Sequence, residues 1–180
     1  MSNERVKTIK ERKVEEKITV RMTDTYLFDF TLYHTYSKLA GFLTNILGAA
    51  IAFMGIIMLV MGKIKPVQII FYLVAAVVFI AYTPLLLKYR SKKQVKGIER
   101  YHVLNEMTFN DEGIQVEFAD KKETYEWKQI QKVVTTPKTI GFYYETEKAL
   151  IVPKPDFGDK FVPILTLATK KLGPARVHLR

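Results

Sequence analysis

The sequence predicts a membrane protein of the α+β class: a transmembrane helical hairpin, then a small antiparallel sheet closed by a C-terminal helix. Three observations predict it. Leu39 to Gly62 and Pro66 to Leu87 are 24 and 22 residues without a charge. At about 1.5 Å rise per residue, each helix would exceed the roughly 30 Å hydrocarbon core of a bilayer. From about Tyr101 the apolar residues switch to a period of two, and from Asp159 to Leu172 they return to helical spacing.

The chain has 180 residues, 48% of them hydrophobic, and 28 Lys and Arg against 18 Asp and Glu give a net charge of +10. Its near-zero mean hydropathy averages apolar spans with charged flanks. Uncharged stretches of this length exclude a soluble globular enzyme of this size. With no cysteine, a disulfide framework and a Cys-ligated metal site are excluded as well.

Residues 1–16 mix Arg5, Lys7, Lys10, Arg12 and Lys13 with Glu4, Glu11, Glu15 and Glu16. They offer no apolar face to bury, so a solvated, flexible arm is expected. No secretory signal is expected, because the first apolar run starts only at Leu39 and is too long for an h-region. Residues 17–38 divide in two. Lys17 to Thr23 alternates, with Ile18, Val20 and Met22 on one side, which predicts a short strand that helps complete the later sheet. Tyr26, Phe28, Phe30, Tyr33 and Tyr36 then stand among Asp29, His34 and Lys38. Aromatics with a wet end suit the headgroup layer, so this is an interfacial segment.

The two membrane helices, 39–62 and 66–87, are joined by Lys63-Ile64-Lys65. A link that short forces an antiparallel hairpin. Residues 88–104 read as a basic juxtamembrane helix carrying Lys88, Arg90, Lys92, Lys93, Lys96 and Arg100. With Arg21 and Lys38 this makes eight basic residues on one side against two in the link. That asymmetry predicts a multi-pass protein with both termini in the cytoplasm.

The sheet domain is placed at 105–172. Met107 and Phe109 alternate with polar neighbours, and Asn110-Asp111-Glu112-Gly113 is a turn in which Gly113 supplies positive φ. Ile114, Val116 and Phe118 follow, then strands around Tyr125 and Trp127, Ile130 to Thr135, Ile140 to Tyr144 and Ala149 to Val152. Short strands at this spacing predict an antiparallel meander. Phe161, Ile164, Leu165, Ala168 and Leu172 form one helical stripe to lay on it. Residues 173–180 are left as a tail.

Gly41, Gly48, Gly55 and Gly62 recur every seven residues, and Asn45 and Ala52 fall on the same stripe. The helix-packing set is therefore Gly41, Asn45, Gly48, Ala52 and Gly55. Its partner is either the chain's own second helix, which offers Ala75 and Ala76, or another subunit or protein. The second case would make the chain a homo-oligomer or one half of a membrane complex. The basic set Lys88, Arg90, Lys92, Lys93 and Lys96 either orients the hairpin or contacts anionic lipid headgroups. From Tyr101 onward 12 basic residues face 11 acidic ones, so the +10 does not mark a nucleic-acid surface.

The search for catalytic chemistry is negative. His34, His102 and His178 lack companions at ligand spacing, and Ser2, Ser37 and Ser91 stand in no nucleophile elbow. No glycine-rich phosphate loop occurs, so the triplet Asp156-Phe157-Gly158 has no kinase context. No cofactor or metal is expected. Trp127, Tyr143, Tyr144 and Phe157 read as core, with a ligand groove as the alternative.

The order Asn110-Asp111-Glu112-Gly113-Ile114, Trp127 with Ile130 and Val133, Phe142-Tyr143-Tyr144, Ile151-Val152-Pro153-Lys154 and Phe157 resembles the YcxB-like family of bacterial membrane proteins. The resemblance runs from the strand before the first helix to the C-terminal helix, and leaves Lys171 to Arg180 without a counterpart. It implies a bacterial plasma-membrane protein whose cytoplasmic part is similar to pleckstrin-homology-like domains, and it carries over no activity. The expected function is a non-enzymatic accessory or scaffold protein, anchored in the lipid bilayer, whose cytoplasmic domain binds a protein partner. The alternatives are an immunity or stress protein acting against a pore-forming peptide, and a lipid-sensing module.

Overall fold

The computed structural model describes residues 15–97, 104–118 and 121–178. The charged arm up to residue 14, residues 98–103 of the basic segment (with His102) and the last two residues of the tail lie outside the described residues, as do the side chains of residues 39–41. The chain divides into two compact units: Met1–Met22 with Glu99–Arg180, and Thr23–Ile98.

The second unit is helical: α1 (Asp24–Tyr36), α2 (Leu39–Val60) and α3 (Ile69–Gly97). The aromatic segment is thus a regular helix. Thr23, in extended conformation, caps it by accepting the Tyr26 N–H on Oγ1 at 3.4 Å. Leu27 and Phe30 are its buried residues, and it packs on α2 and α3. Helix α2 ends in a glycine cap. Gly62, at φ +69, donates its N–H to the Leu59 carbonyl at 3.0 Å while Lys63 donates to Met58 at 2.9 Å. Both bonds satisfy carbonyls that the helix end leaves open. Gly62 therefore belongs to the turn and not to the packing stripe. A short 3₁₀ turn, Pro66–Gln68, leads into α3.

Helix α3 joins the second apolar span and the start of the expected basic juxtamembrane helix into one element. The apolar signal stops at Leu87, but Lys, Arg and Gln are good helix formers and no Pro or Gly interrupts the ladder between Leu87 and Gly97. Pro84 sits inside the helix and has no N–H to give the Ile80 carbonyl. Both α2 and α3 are long and apolar enough to cross a membrane. Their outer faces carry large exposed side chains, among them Val60 (82% exposed), Phe71 (74%) and Phe53 (65%).

Among the described residues, the first unit holds eight strands in two sheets where the spacing predicts a single meander. Strands β1 (Glu16–Val20), β2 (Asn105–Phe109), β3 (Gly113–Phe118) and β4 (Lys121–Glu126) form one antiparallel sheet in that order. The second sheet has the order β7-β6-β5-β8, built from β5 (Lys132–Thr135), β6 (Thr139–Tyr143), β7 (Ala149–Pro153) and β8 (Val177–His178). The chain breaks between the sheets at Trp127–Gln129, a 3₁₀ turn, so Trp127 is not a strand residue. Strand β8 pairs parallel to β5, with Val177 opposite Val133, so part of the expected tail is built into the fold.

Helix α4 (Phe161–Leu172) buries Ile164, Leu165, Leu167 and Ala168. Its side chains join residues of both sheets in one core, where Phe109 lies 5.4 Å from Phe142 and 6.5 Å from Phe157 between ring centroids. The turn at 110–113 is where the sequence predicts it. Asn110 Oδ1 accepts the N–H groups of Glu112 and Gly113 at 2.9 and 3.0 Å. Gly113 is required for a different reason than expected: its φ is not positive, but a Cβ there would collide with the Tyr125 carbonyl oxygen.

Candidate functional site

Of the helix-packing set, Gly48 and Gly55 meet α3 of the same chain. A Cβ on Gly48 would come within 2.7 Å of Ile80 Cγ1 and 3.2 Å of the Ala76 carbonyl oxygen. One on Gly55 would come within 2.6 Å of Tyr72 Cβ. The two glycines are the hollows into which Ile80 and Tyr72 fit, a close approach that only small residues permit. Ala52 and Asn45 are half-buried beside them. Asn45 Oδ1 is buried without a hydrogen-bond partner among the described residues. The packing at Gly41 lies outside what is described. Ala76 is buried, as the flat-spot expectation requires, but Tyr72 was not foreseen because nothing in a sequence shows which bulky residue fills a glycine hollow. Its hydroxyl also reaches Met58 Sδ at 3.3 Å, across the same seam.

The basic residues sit on the last turns of α3, where Lys88, Arg90, Lys92, Lys93 and Lys96 are all exposed. They do not form one group. Lys92, Lys93 and Lys96 line a shallow depression with Tyr89. Leu87 and Ser91, on the opposite side of the helix, are buried. Tyr89 was missed by sequence reasoning, although Tyr89, Lys92, Lys93 and Lys96 stand at i, i+3, i+4 and i+7, the spacing of one helix face.

In the sheet unit, three of the four aromatics considered for a groove are core. Trp127 is 6% exposed and donates its indole N–H to the Asn110 carbonyl at 2.8 Å. Phe157 and Tyr143 are buried, and Lys132 Nζ stands 4.8 Å over the Tyr143 ring. Tyr144 differs. It packs on Tyr125 at 4.7 Å and lines a cleft of about 150 Å³ with Val20, Met22, Met107 and Leu150. The cleft lies where β1 and β2 of one sheet face β7 of the other.

Asp156 of the kinase-like triplet has a structural task. Its Oδ2 accepts the Arg21 N–H at 2.8 Å, and Lys160 Nζ donates to the Lys17 carbonyl at 2.6 Å. The turn from Lys154 to Lys160 thereby covers the open edge of β1, where unpaired backbone groups would invite other strands. Burial raises the Asp156 carboxyl from its ordinary value, against the opposing pull of the Arg21 N–H and charge. His34 stacks on Phe30 at 6.3 Å and His178 pairs in β8. Ser37 closes the end of α1 and Ser91 is buried. Among the described residues, no three His, Asp or Glu side chains come together to hold a metal ion.

These features define an α+β protein in which a helical unit with two long apolar helices is inserted into a unit of two small sheets. Residues 109–162 match the family model described as YcxB-like protein. The match begins at the last residue of β2 and ends in the first turn of α4, so the similarity covers the sheets' continuous part and not the helical unit. No curated protein and no solved structure matches the chain.

Proposed function

We propose that the chain is a non-enzymatic accessory or scaffold protein of the bacterial plasma membrane, in which α2 and α3 span the bilayer and the sheet unit binds a protein partner in the cytoplasm. The observation that carries this reading is the pairing of β1 with β2 on either side of the helical insertion. A folded sheet cannot be threaded through a bilayer, so both connections to the helices start from one side, as two spans require. The apolar outer faces of α2 and α3 would be unstable in water and suit lipid. Eight basic residues against two support a cytoplasmic sheet unit. Two sheets closed by α4 support the pleckstrin-homology-like reading, to which β8 is an addition.

The absence of native cysteine makes the test direct. Single cysteines at Ile64 and Thr169 are exposed to an impermeant thiol reagent on intact cells. Position 64 should label and position 169 should not; the reverse pattern overturns the topology. A photo-crosslinker at Tyr144, in the cleft, should give a discrete protein adduct in cells, and its absence would sink the scaffold part. A second reading, lipid sensing, is favoured by the grouping of Tyr89 with three lysines.

A further inference from the structure

We infer that Tyr89, Lys92, Lys93 and Lys96 form a binding site for the headgroup of an anionic phospholipid, distinct from the general basic collar. The inference rests on the reading that α3 spans the bilayer. At about 100° per residue these four side chains fall within an arc of about 100°, and Lys88 and Arg90 fall outside it. The opposite face is closed by the burial of Leu87 and Ser91, so the lysines are held on one side of the helix.

Height along the helix puts Lys92 within the headgroup layer, and Lys93 and Lys96 just beyond it. Lys92 and Lys93 stand about 7 and 9 Å beyond Leu87, and Lys96 about 13 Å. The headgroup layer is roughly 5–8 Å deep on each side. Helical side chains lean toward the N-terminus of their helix. On a helix that leaves the bilayer C-terminus first, this aims the lysines back at the headgroups. Tyr89, one turn below and 66% exposed, sits where a ring with a polar tip is stable in the interface. The ammonium groups of Lys92 and Lys93 alone exceed the half charge of opposite sign at the helix end. They suit a phosphate with several free oxygens and no neutralising choline.

The full chain is reconstituted into phosphatidylcholine vesicles with spin-labelled phosphatidylglycerol or spin-labelled phosphatidylcholine, and the immobilised fraction of each is compared. The expected result is a preference for phosphatidylglycerol that falls about fivefold for each of Lys92→Gln and Lys93→Gln. The pair Lys88→Gln with Arg90→Gln should lower it much less than the pair Lys92→Gln with Lys93→Gln. Equal losses from the two pairs would reduce the site to a diffuse collar and overturn the inference. So would the lack of any lipid preference in protein that resists alkaline extraction from the vesicles. Protein that alkali extracts would instead overturn the spanning reading.

Discussion

Val20 and Asn105 are partners across β1 and β2, although the entire helical unit lies between them in the chain. Ile18 and Val20 reach the core from this strand, at 4% and 1% exposure. The segment before the helices is therefore an integral strand of the sheet unit, and it should behave as one.

Val20→Asp places a charge in that core with no partner, at an expected cost of about 4 kcal/mol or more. Thr19→Lys, on the exposed side of the same strand, should change stability by no more than about 0.5 kcal/mol. The chain has one tryptophan, Trp127, in the sheet unit, so its fluorescence follows that unit alone. If Val20→Asp leaves the fluorescence transition in place, β1 is not part of the core.

Trp127 itself contributes both area and a hydrogen bond. Trp127→Ala should cost about 3–5 kcal/mol, enough to unfold a small domain. Trp127→Phe keeps most of the apolar contact but leaves the buried Asn110 carbonyl without its indole donor, at about 1–3 kcal/mol. Circular dichroism melts should rank wild type, Phe and Ala in that order. Equal effects of the two substitutions would deny the hydrogen bond any weight.

Much of this fold was legible in the sequence because its signals are local. Absence of charge over 24 and 22 residues marks the long helices, and Asn110 to Gly113 marks a turn wherever the neighbours go. Pairing is less legible. A period of two gives Ile18 and Val20 a face but not a neighbour, and the two residues of β8 are too few to carry any pattern. Hydropathy reports where the apolar span ends, at Leu87, but not that this span and the basic juxtamembrane helix expected after it form one continuous α3. Gly113 shows the limit at a single residue: a glycine in a turn suggests positive φ, but here the neighbouring strand's backbone leaves no room for a Cβ. In the basic segment, the charges and the helical spacing of Tyr89, Lys92, Lys93 and Lys96 were legible, while the burial of Leu87 and Ser91 that marks the other face was not.

The glycine seam predicts an asymmetric response to size. At Gly55 even Ala should disturb the hairpin, because the added Cβ meets Tyr72 Cβ and Cγ at 2.6 and 2.8 Å, near that side chain's root. Gly48→Ala meets Ile80 Cγ1, a more movable atom, and should be milder. Overpacking of this kind costs about 1–3 kcal/mol. Leu at either position should lower folded yield in detergent while leaving the oligomeric state unchanged, because the contact is within one chain. A variant that folds normally but elutes as a smaller species would show that the seam joins subunits.

The Asp156 carboxylate gives a pH dependence whose sign can be worked out. Burial raises its folded pKa above the ordinary value, so the folded state binds the proton more tightly than the unfolded chain. Its charge therefore opposes folding at neutral pH. That penalty fades as pH falls through the raised folded value toward the ordinary Asp value of about 3.9. Asp156→Asn removes the charge but keeps an oxygen to accept the Arg21 N–H, so at pH 7 it should be at least as stable as wild type. The gap should narrow as the pH is lowered toward 4. Asp156→Ala loses the acceptor as well and should fall below Asp156→Asn at every pH, because the Arg21 N–H on the edge of β1 is left to water. Thermal melts followed by Trp127 fluorescence from pH 7 to pH 4 would decide it. An Asn variant clearly less stable than wild type at neutral pH would mean that the charge-assisted bond to Arg21 outweighs burial.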